Sequence, residues 1–189
     1  MPRDYAAMPV STVRRSDREL TDVEIIKQIL HRAPIGVLAT VHEGQPFINS
    51  NLYVYDESAH CIYMHTAKVG RTRANVELEE RVCFSVTEMG RLLPADEALE
   101  FSVEYAGVAI FRASACSHGS GRSYSRFANI TGQVLPHLQS GIDYRPIAPE
   151  ELARTSVYRI DIEEWSGKRK QVTDDFPGAF YYGEPPKQP

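Results

Sequence analysis

The sequence predicts a mainly β, α+β domain built on a meandering antiparallel sheet or barrel with flanking helices. Apolar residues alternate with a period of two in several short runs, and turns of hairpin length join these runs. Helical spacing is confined to short stretches. With 189 residues, the chain is long enough for one domain with a real core. We divide it into an N-terminal arm at 1–20, a domain at 21–170 and an irregular tail at 171–189.

The first helix is predicted at 21–32. Thr21 and Glu24 have the spacing of a capping box, with Thr21 as the cap. Apolar residues then recur at helical spacing: Ile25, Ile26, Ile29 and Leu30. Pro34 ends this helix.

The remaining elements follow from changes in period. Six alternating runs predict strands at 35–41, 47–55, 60–66, 82–87, 101–112 and 156–164. Short helices are predicted at 71–78 and 149–153, and a long loop at 88–99. The Gly-, Ser- and Arg-rich segment 117–126 resembles a phosphate loop only superficially, so we interpret it as a flexible loop.

Composition and charge exclude several classes of protein. The net charge of −4 argues against a nucleic-acid binder with a broad basic surface. No apolar run reaches the ~18 residues that a membrane span needs, and the first residues lack a signal-peptide pattern. Three widely spaced cysteines and six scattered histidines indicate reduced thiols and no metal site. We therefore expect a cytoplasmic protein without a bound metal.

The strand at 60–66 and the helix after it carry an unusual charge order. Three cations, Lys68, Arg71 and Arg73, crowd the start of the helix, whereas acids crowd its end. A helix start carries partial positive charge, so cations there are unfavourable unless an anion lies among them. The first helix has the ordinary order, with acids first. The pattern indicates a phosphate site, and a solvated face with arbitrary charge order is the alternative.

Polar residues interrupt the second strand. Asn49, Ser50 and Asn51 are poor strand formers, and buried amides must find partners. A planar ligand rimmed with carbonyls and ring nitrogens would supply them, whereas a bulge or an exposed edge would remove the need. His65 ends the third strand directly before the predicted phosphate site. We interpret it as either a satisfied polar residue or a catalytic group.

Four segments resemble one family. These are Arg15–Asp22, His65–Asn75, Glu88–Pro94 with Ser102–Tyr105, and Thr155–Ile160 continuing through Trp165–Lys168. Together they resemble the split-barrel flavoproteins related to pyridoxamine 5′-phosphate oxidase, and most closely the nitroimidazole-resistance (Nim) proteins. The segment 112–134 departs from that pattern, because relatives form an acidic, alanine-rich helix there.

The resemblance implies a six-stranded antiparallel split β-barrel that forms a homodimer and binds FMN at the subunit interface. His65 would be the catalytic residue, and Trp165 would reach the cofactor of the partner subunit. The resemblance implies these cofactor-binding residues: Asn49, Ser50, Asn51, His65, Thr66, Ala67, Lys68, Gly70, Arg71, Arg73 and Trp165.

The function expected from this resemblance is that of an FMN-dependent oxidoreductase that reduces a small organic acceptor, including a nitroaromatic. A non-catalytic module of the same fold, which binds flavin, haem or another phosphorylated ligand, is the alternative. A nucleic-acid binder that uses 68–73 and 117–126 is disfavoured by the acidic net charge. Oxidation of pyridoxamine phosphate is also disfavoured, because the substrate signature of true oxidases is not recognisable near the C-terminus.

Overall fold

The computed structural model describes residues 4–117 and 136–184, without the side chains of 112–117. All but the first residue of the loop predicted at 117–126 lies outside this part of the chain. The described residues form three α-helices: α1 (Val23–Arg32), α2 (Arg71–Leu78) and α3 (Pro149–Ala153). They form nine strands: β1 (Glu19–Leu20), β2 (Gly36–His42), β3 (Gln45–Asn51), β4 (Tyr53–Asp56), β5 (Cys61–Ala67), β6 (Arg81–Leu93), β7 (Ser102–Ser117), β8 (Thr155–Asp161) and β9 (Glu164–Lys170).

All strand pairs are antiparallel, and the strands lie in the order β3-β2-β6-β7-β8-β5-β4, with β9 beside β7 and β1 beside β9. The two ends of this path, β3 and β4, are neighbours in the chain and are separated by Leu52 alone. No ladder joins them in the described part of the chain, so the sheet curls into a barrel with one open gap. We call this gap between β3 and the β4–β5 hairpin the seam. The predicted mainly β, antiparallel split-barrel class is confirmed.

The core lies inside the curled sheet and beneath α1. The inner face of β2 consists of Gly36, Leu38 and Thr40, and Leu38 is fully buried together with Phe84 and Tyr158. Burying side chains of this size stabilises the fold by about 1.5–3 kcal/mol each. Gly36 lets the ring of Phe84 occupy the space above its Cα, because a Cβ at position 36 would lie 2.0 Å from the ring.

Helix α1 forms as predicted but begins two residues later. Asp22, not Thr21, is the N-cap, and its carboxylate accepts a hydrogen bond from the Glu24 amide at 2.9 Å. Ile26, Ile29 and Leu30 form its buried face. The expected capping box was therefore wrong by one residue, because aspartate is at least as good a cap as threonine.

Three strand expectations need correction. The loop predicted at 88–99 is strand as far as Leu93, since β6 continues beside β7 past an irregularity between Met89 and Leu92. The run at 47–55 is two strands, because the chain changes its pairing partner at Leu52. The strand predicted at 156–164 ends at Asp161, and residues 164–170 form a further strand, β9. The described residues thus contain nine strands where six were expected, and β7 remains regular through 113–117, where no period was found.

The arm and the tail contact the domain. Val13 is buried, Ser11 Oγ donates to Glu164 Oε2 at 2.8 Å, and Glu19 pairs with Lys168 in the β1–β9 ladder. In the tail, Phe180 and Leu92 form an isolated antiparallel bridge. No helix in the described residues is long and apolar enough to span a membrane.

Candidate functional site

A cleft of about 790 Å³ opens at the seam, between the end of β3, the end of β5 and the segment around α3. Its walls carry these residues: Asn51, His65, Thr66, Ala67, Tyr144, Arg145, Ile147, Glu151, Arg154 and Thr155. Four of them are residues that the sequence analysis assigned to the cofactor. The other six come from 144–155, which the sequence analysis did not assign to a site.

The polar residues of β3 divide between the two faces of the strand. β3 is an end strand that pairs with β2 without a bulge, so its side chains alternate strictly. Asn49 donates its amide to Thr72 Oγ1 of α2 at 3.1 Å. Asn51 lines the cleft, and its buried Nδ2 has no acceptor in the described structure. Ser50 is exposed on the opposite face, away from the cleft.

The Asn51 amide is the clearest sign of a missing partner at this site. A buried N–H donor without an acceptor costs about 1–3 kcal/mol. A ligand oxygen or ring nitrogen in the cleft would remove that cost. The structure therefore favours the ligand interpretation of this strand over a bulge, although β3 is also an edge.

His65 and Thr66 line the cleft near the end of β5, and Ala67 follows them there. His65 lies opposite Val157 of β8, and burial lowers the pKa of its imidazole below the usual value of 6.5. The ring is consequently neutral at neutral pH, with one nitrogen protonated and the other an acceptor. Thr66 Oγ1 donates to Tyr158 Oη at 3.2 Å, which fixes the hydroxyl at the base of the cleft.

The turn from β5 into α2 carries the predicted phosphate site. Gly70 is the N-cap of α2, and its φ of 141° is a conformation that residues with a Cβ rarely adopt. The first turn of α2 contains no acidic residue. Asn75 is fully buried within the helix, and its Nδ2 donates to Thr40 Oγ1 of β2 at 2.9 Å, which holds α2 against the barrel.

The three cations at this turn differ in their contacts. Arg73 donates to Glu77 Oε1 at 2.7 Å and to Ser156 Oγ at 3.0 Å, so its guanidinium is already engaged. The guanidinium of Arg71 lies 5.3 Å from the centre of the Phe47 ring. Lys68 and Arg71 form no ion pair with any carboxylate in the described residues, which leaves both charges available to a ligand.

The segment 144–155 adds charge to the cleft. Arg145 and Glu151 form an ion pair, with Nη2 and Oε1 2.8 Å apart. Hydrogen bonds from the Ala148 amide and from Arg145 lower the pKa of Glu151, which is therefore ionised. Arg154, the residue after α3, is exposed and has no carboxylate partner among the described residues. The sequence signal that could have found Arg154 is its position directly before the Thr155–Ile160 segment.

Trp165 lies away from the cleft of its own chain. Its ring packs partly buried against the core and stands edge-on to His60, with the ring centres 5.0 Å apart. His60 precedes β5, and His65 is five residues further along, about 16 Å for an extended strand. The role expected for Trp165 at the cofactor of a partner subunit stays a prediction.

A second, smaller cleft of about 430 Å³ lies between α1, β6, β7 and β9. Its charged groups include Arg32 and Glu88, which pair with Nε and Oε1 2.8 Å apart. None of the predicted site residues lines it. Within residues 4–117 and 136–184, no group of histidine, cysteine, aspartate and glutamate is arranged to hold a metal ion.

Together, the fold and the cleft define an antiparallel split barrel with a polar cleft at its open seam. A sequence profile described as pyridoxamine 5′-phosphate oxidase matches residues 22–169. The chain belongs to this family. No curated protein matches the sequence.

Solved structures with the same fold share little sequence with this chain. The flavocytochrome Anf3 of Azotobacter vinelandii has a TM-score of 0.75 at 21% identity, and the match covers 94% of this chain and 86% of that one. An FAD- and haem-binding protein of Mycobacterium smegmatis has a TM-score of 0.73 at 18% identity, and the match covers 82% of this chain and 74% of that one. A protein assigned to 5-nitroimidazole antibiotic resistance in Bacteroides thetaiotaomicron has a TM-score of 0.64 at 12% identity, and the match covers 80% of this chain and 86% of that one.

Proposed function

We propose that this protein binds a flavin nucleotide at the seam and passes electrons from it to a small organic acceptor. The observation that carries the proposal is the cleft itself. An unsatisfied Asn51 amide and the unpaired Arg154 line it, and the unpaired Lys68 and Arg71 follow its lining residue Ala67, in a chain whose net charge is −4. Local positive charge in an acidic protein indicates a site for an anionic ligand.

The residues present fit such a cofactor. Lys68, Arg71 and the N–H groups at the start of α2 offer a site for its phosphate, since a helix N-terminus favours an anion. Asn51 would donate to an oxygen or nitrogen of the ring, and Asn49 lies two residues away on the same face. Ser50 and Arg73 fit less well, because Ser50 faces away from the cleft and Arg73 already has two partners.

FMN is the specific form of this proposal, because the turn at 68–71 offers one helix N-terminus for one phosphate. FAD is the competing form, and the Mycobacterium smegmatis neighbour is described as binding FAD together with haem. The two flavins share the ring and the first phosphate. They are separated by comparing their dissociation constants on the same protein.

In the proposed reaction, bound flavin would supply two electrons, taken from an external two-electron donor such as a reduced nicotinamide nucleotide. A nitroaromatic acceptor would take these electrons with two protons and become a nitroso compound and water. His65 would act as the catalytic residue at the acceptor, because its neutral ring can hold or release a proton there. The chain's own residues would bind, orient and desolvate the reactants.

We further propose that the protein is a homodimer. On the outside of β2 and β3, an apolar surface consists of Ile35, Val37, Ala39, Val41 and Ile48. Ile48 is 75% exposed and lies opposite Ala39 in the ladder. A second copy packed on this surface would cover its apolar side chains and lie next to the strand that carries Asn49 and Asn51.

A non-catalytic module is the second candidate. Two of the three compared structures carry haem according to their descriptions, as a flavocytochrome or as a haem-binding protein. In that case the same cleft would hold a cofactor for storage or sensing. Turnover with a reductant and an electron acceptor separates this candidate from the enzyme.

The test is an absorbance spectrum of purified protein before and after addition of FMN or FAD and dialysis. Flavin bands that survive dialysis, and that disappear in a Lys68→Gln/Arg71→Gln variant, are the expected result. A Soret band would instead indicate haem. A folded protein that retains neither flavin contradicts the proposal.

A further inference from the structure

We propose that Arg154 forms a second anion subsite in the seam cleft, beside the Lys68–Arg71 phosphate site and distinct from it. Its ligand is an anionic group such as a phosphate or carboxylate. The occupant's identity rests on the proposed flavin site, whereas the subsite itself does not.

Backbone pairing places Arg154 directly beside Lys68. In the β5–β8 ladder Thr66 lies opposite Ser156 and Ala67 opposite Thr155. The Lys68 amide then donates to the Arg154 carbonyl at 3.1 Å, so these two residues occupy the next position of the ladder. Like charges at directly opposed positions of an antiparallel pair are destabilising. A phosphate beside Lys68 and a second anion beside Arg154 would offset that repulsion.

The neighbouring acidic group, Glu151, forms its ion pair with Arg145 and interacts with Arg154 only at longer range. Glu151 accepts two hydrogen bonds from Arg145, at 2.8 and 3.1 Å, and one from the Ala148 amide at 2.8 Å. Both of its oxygens therefore accept hydrogen bonds from groups other than Arg154. No other carboxylate in residues 4–117 and 136–184 pairs with Arg154. Its guanidinium presents a fork of donors that suits a phosphate or a carboxylate.

The cleft and the adjoining turn at 68–71 together have more unpaired positive charge than one phosphate requires. Lys68, Arg71 and Arg154 all lack an ion-pair partner within the described residues, and the buried Nδ2 of Asn51 adds a further donor. A single phosphate at the α2 N-terminus is matched by Lys68 and Arg71 alone. Arg154 remains for a second anionic group.

Two sources would supply that group. The first is the second phosphate of FAD, and the second is an anionic substituent on the acceptor. They predict different results for Arg154→Gln. With the cofactor as source, the affinity for FAD falls about tenfold or more while the affinity for FMN is unchanged. With the acceptor as source, both flavins bind as before, and KM rises about tenfold for a nitrobenzoate but not for neutral nitrobenzene, with kcat preserved.

The matched control is Arg32→Gln, which removes the same charge from a side chain that lines the other cleft. Flavin affinities are measured by fluorescence quenching. The inference is overturned if Arg154→Gln changes none of these quantities, or if it weakens FMN and FAD equally. A third measurement uses no flavin: inorganic pyrophosphate should raise the Tm of the wild type more than that of Arg154→Gln. If no flavin binds but this difference persists, the flavin proposal fails while the subsite stands.

Discussion

Arg91 and Glu104 form a nearly buried ion pair across β6 and β7, with 2.8 Å between Nε and Oε2 and 2.9 Å between Nη2 and Oε1. The same pair holds the tail in place. Arg91 donates to the carbonyls of Thr173 and Asp174, and Glu104 accepts from the Val172 amide. The segments 88–94 and 102–105, which resembled the family in sequence, thus meet at an ion pair that fastens the chain after β9.

Arg91→Gln should destabilise the protein by about 3 kcal/mol, because it leaves Glu104 without its partner. Removing one member of a buried pair costs about 3–5 kcal/mol, and this pair is 14% and 12% exposed, which places it at the low end. Urea unfolding gives the free energy. The control is Arg32→Gln, where the Arg32 side chain is 64% exposed and the expected cost is under about 1 kcal/mol. An equal loss of unfolding free energy in the two variants would contradict the interpretation of Arg91 and Glu104 as a stabilising buried pair.

Glu104 should also govern part of the acid sensitivity. Its hydrogen bond with Arg91 lowers the pKa of Glu104 from 4.5 to about 2. The folded pKa lies below the unfolded one, so the stabilisation is complete above about pH 4.5 and is lost as the pH falls toward 2. The difference in unfolding free energy between wild type and Glu104→Gln should therefore shrink over that range. If the difference in unfolding free energy between the two proteins does not depend on pH, the pKa of Glu104 is not lowered in the folded state.

Lys68→Gln with Arg71→Gln should weaken FMN binding strongly. Each charged hydrogen bond contributes about 1.5–3 kcal/mol, so the pair should cost several kcal/mol in total. Riboflavin, which lacks the phosphate, should bind both proteins equally. Arg73→Gln is a matched cation variant and should have less effect, because Arg73 is held by Glu77 and Ser156. If a fluorescence titration shows unchanged FMN affinity in the double variant, Lys68 and Arg71 do not bind the phosphate.

His65→Ala should spare FMN binding and reduce turnover by about 100-fold, the lower end for a positioned acid or base. Burial lowers the pKa of His65, so wild-type activity should persist somewhat below pH 6.5 before the ring is protonated. Steady-state kinetics across pH measure both effects. The control is His31→Ala, an exposed histidine on α1 that contacts Glu57. Full activity in the His65→Ala variant would contradict a catalytic role for His65.

Ile48→Glu should convert the proposed dimer into a monomer, because it places a charge in the centre of the apolar surface on β2 and β3. Light scattering coupled to size exclusion gives the mass. Leu99→Glu is the comparison, since Leu99 is 94% exposed on a short turn remote from that surface. If the wild type is monomeric, or if the Ile48 variant remains a dimer, the apolar surface on β2 and β3 is not a dimer interface.

The sequence predicted the elements around the candidate site best where local chemistry dictates structure. The break at Gly70 predicted the start of α2, and period-two alternation predicted β5. Strand β6 was cut short because Gly90 and Pro94 are typical of loops. In the folded chain, Gly90 instead makes room for Glu104, whose Cβ would lie 2.8 Å from an added Cβ. That requirement is tertiary and leaves no local pattern.

Arg154 shows the other limit of sequence reading. Apart from its position directly before the Thr155–Ile160 segment, nothing in its own neighbourhood distinguishes it from a solvated arginine after a short helix. Its position beside Lys68 depends on a ladder between segments far apart in the chain, and such pairing is set by the whole sheet. Ser50 is the converse case, since its neighbours suggested a site residue but strand alternation turns it outward.

The pairing of β5 with β8 has a consequence for how the protein is made. Tyr63 and Arg159 lie opposite each other although 96 positions separate them, and pairings of such long range slow folding. As the chain leaves the ribosome, β2, β3, β6 and most of β7 can associate early. The β4–β5 hairpin must wait, with Ile62 and Met64 uncovered, until residue 161 has emerged. The β4–β5 side of the seam therefore cannot be completed before β8 is available, and β9, which pairs with β7 and β1, is added later still.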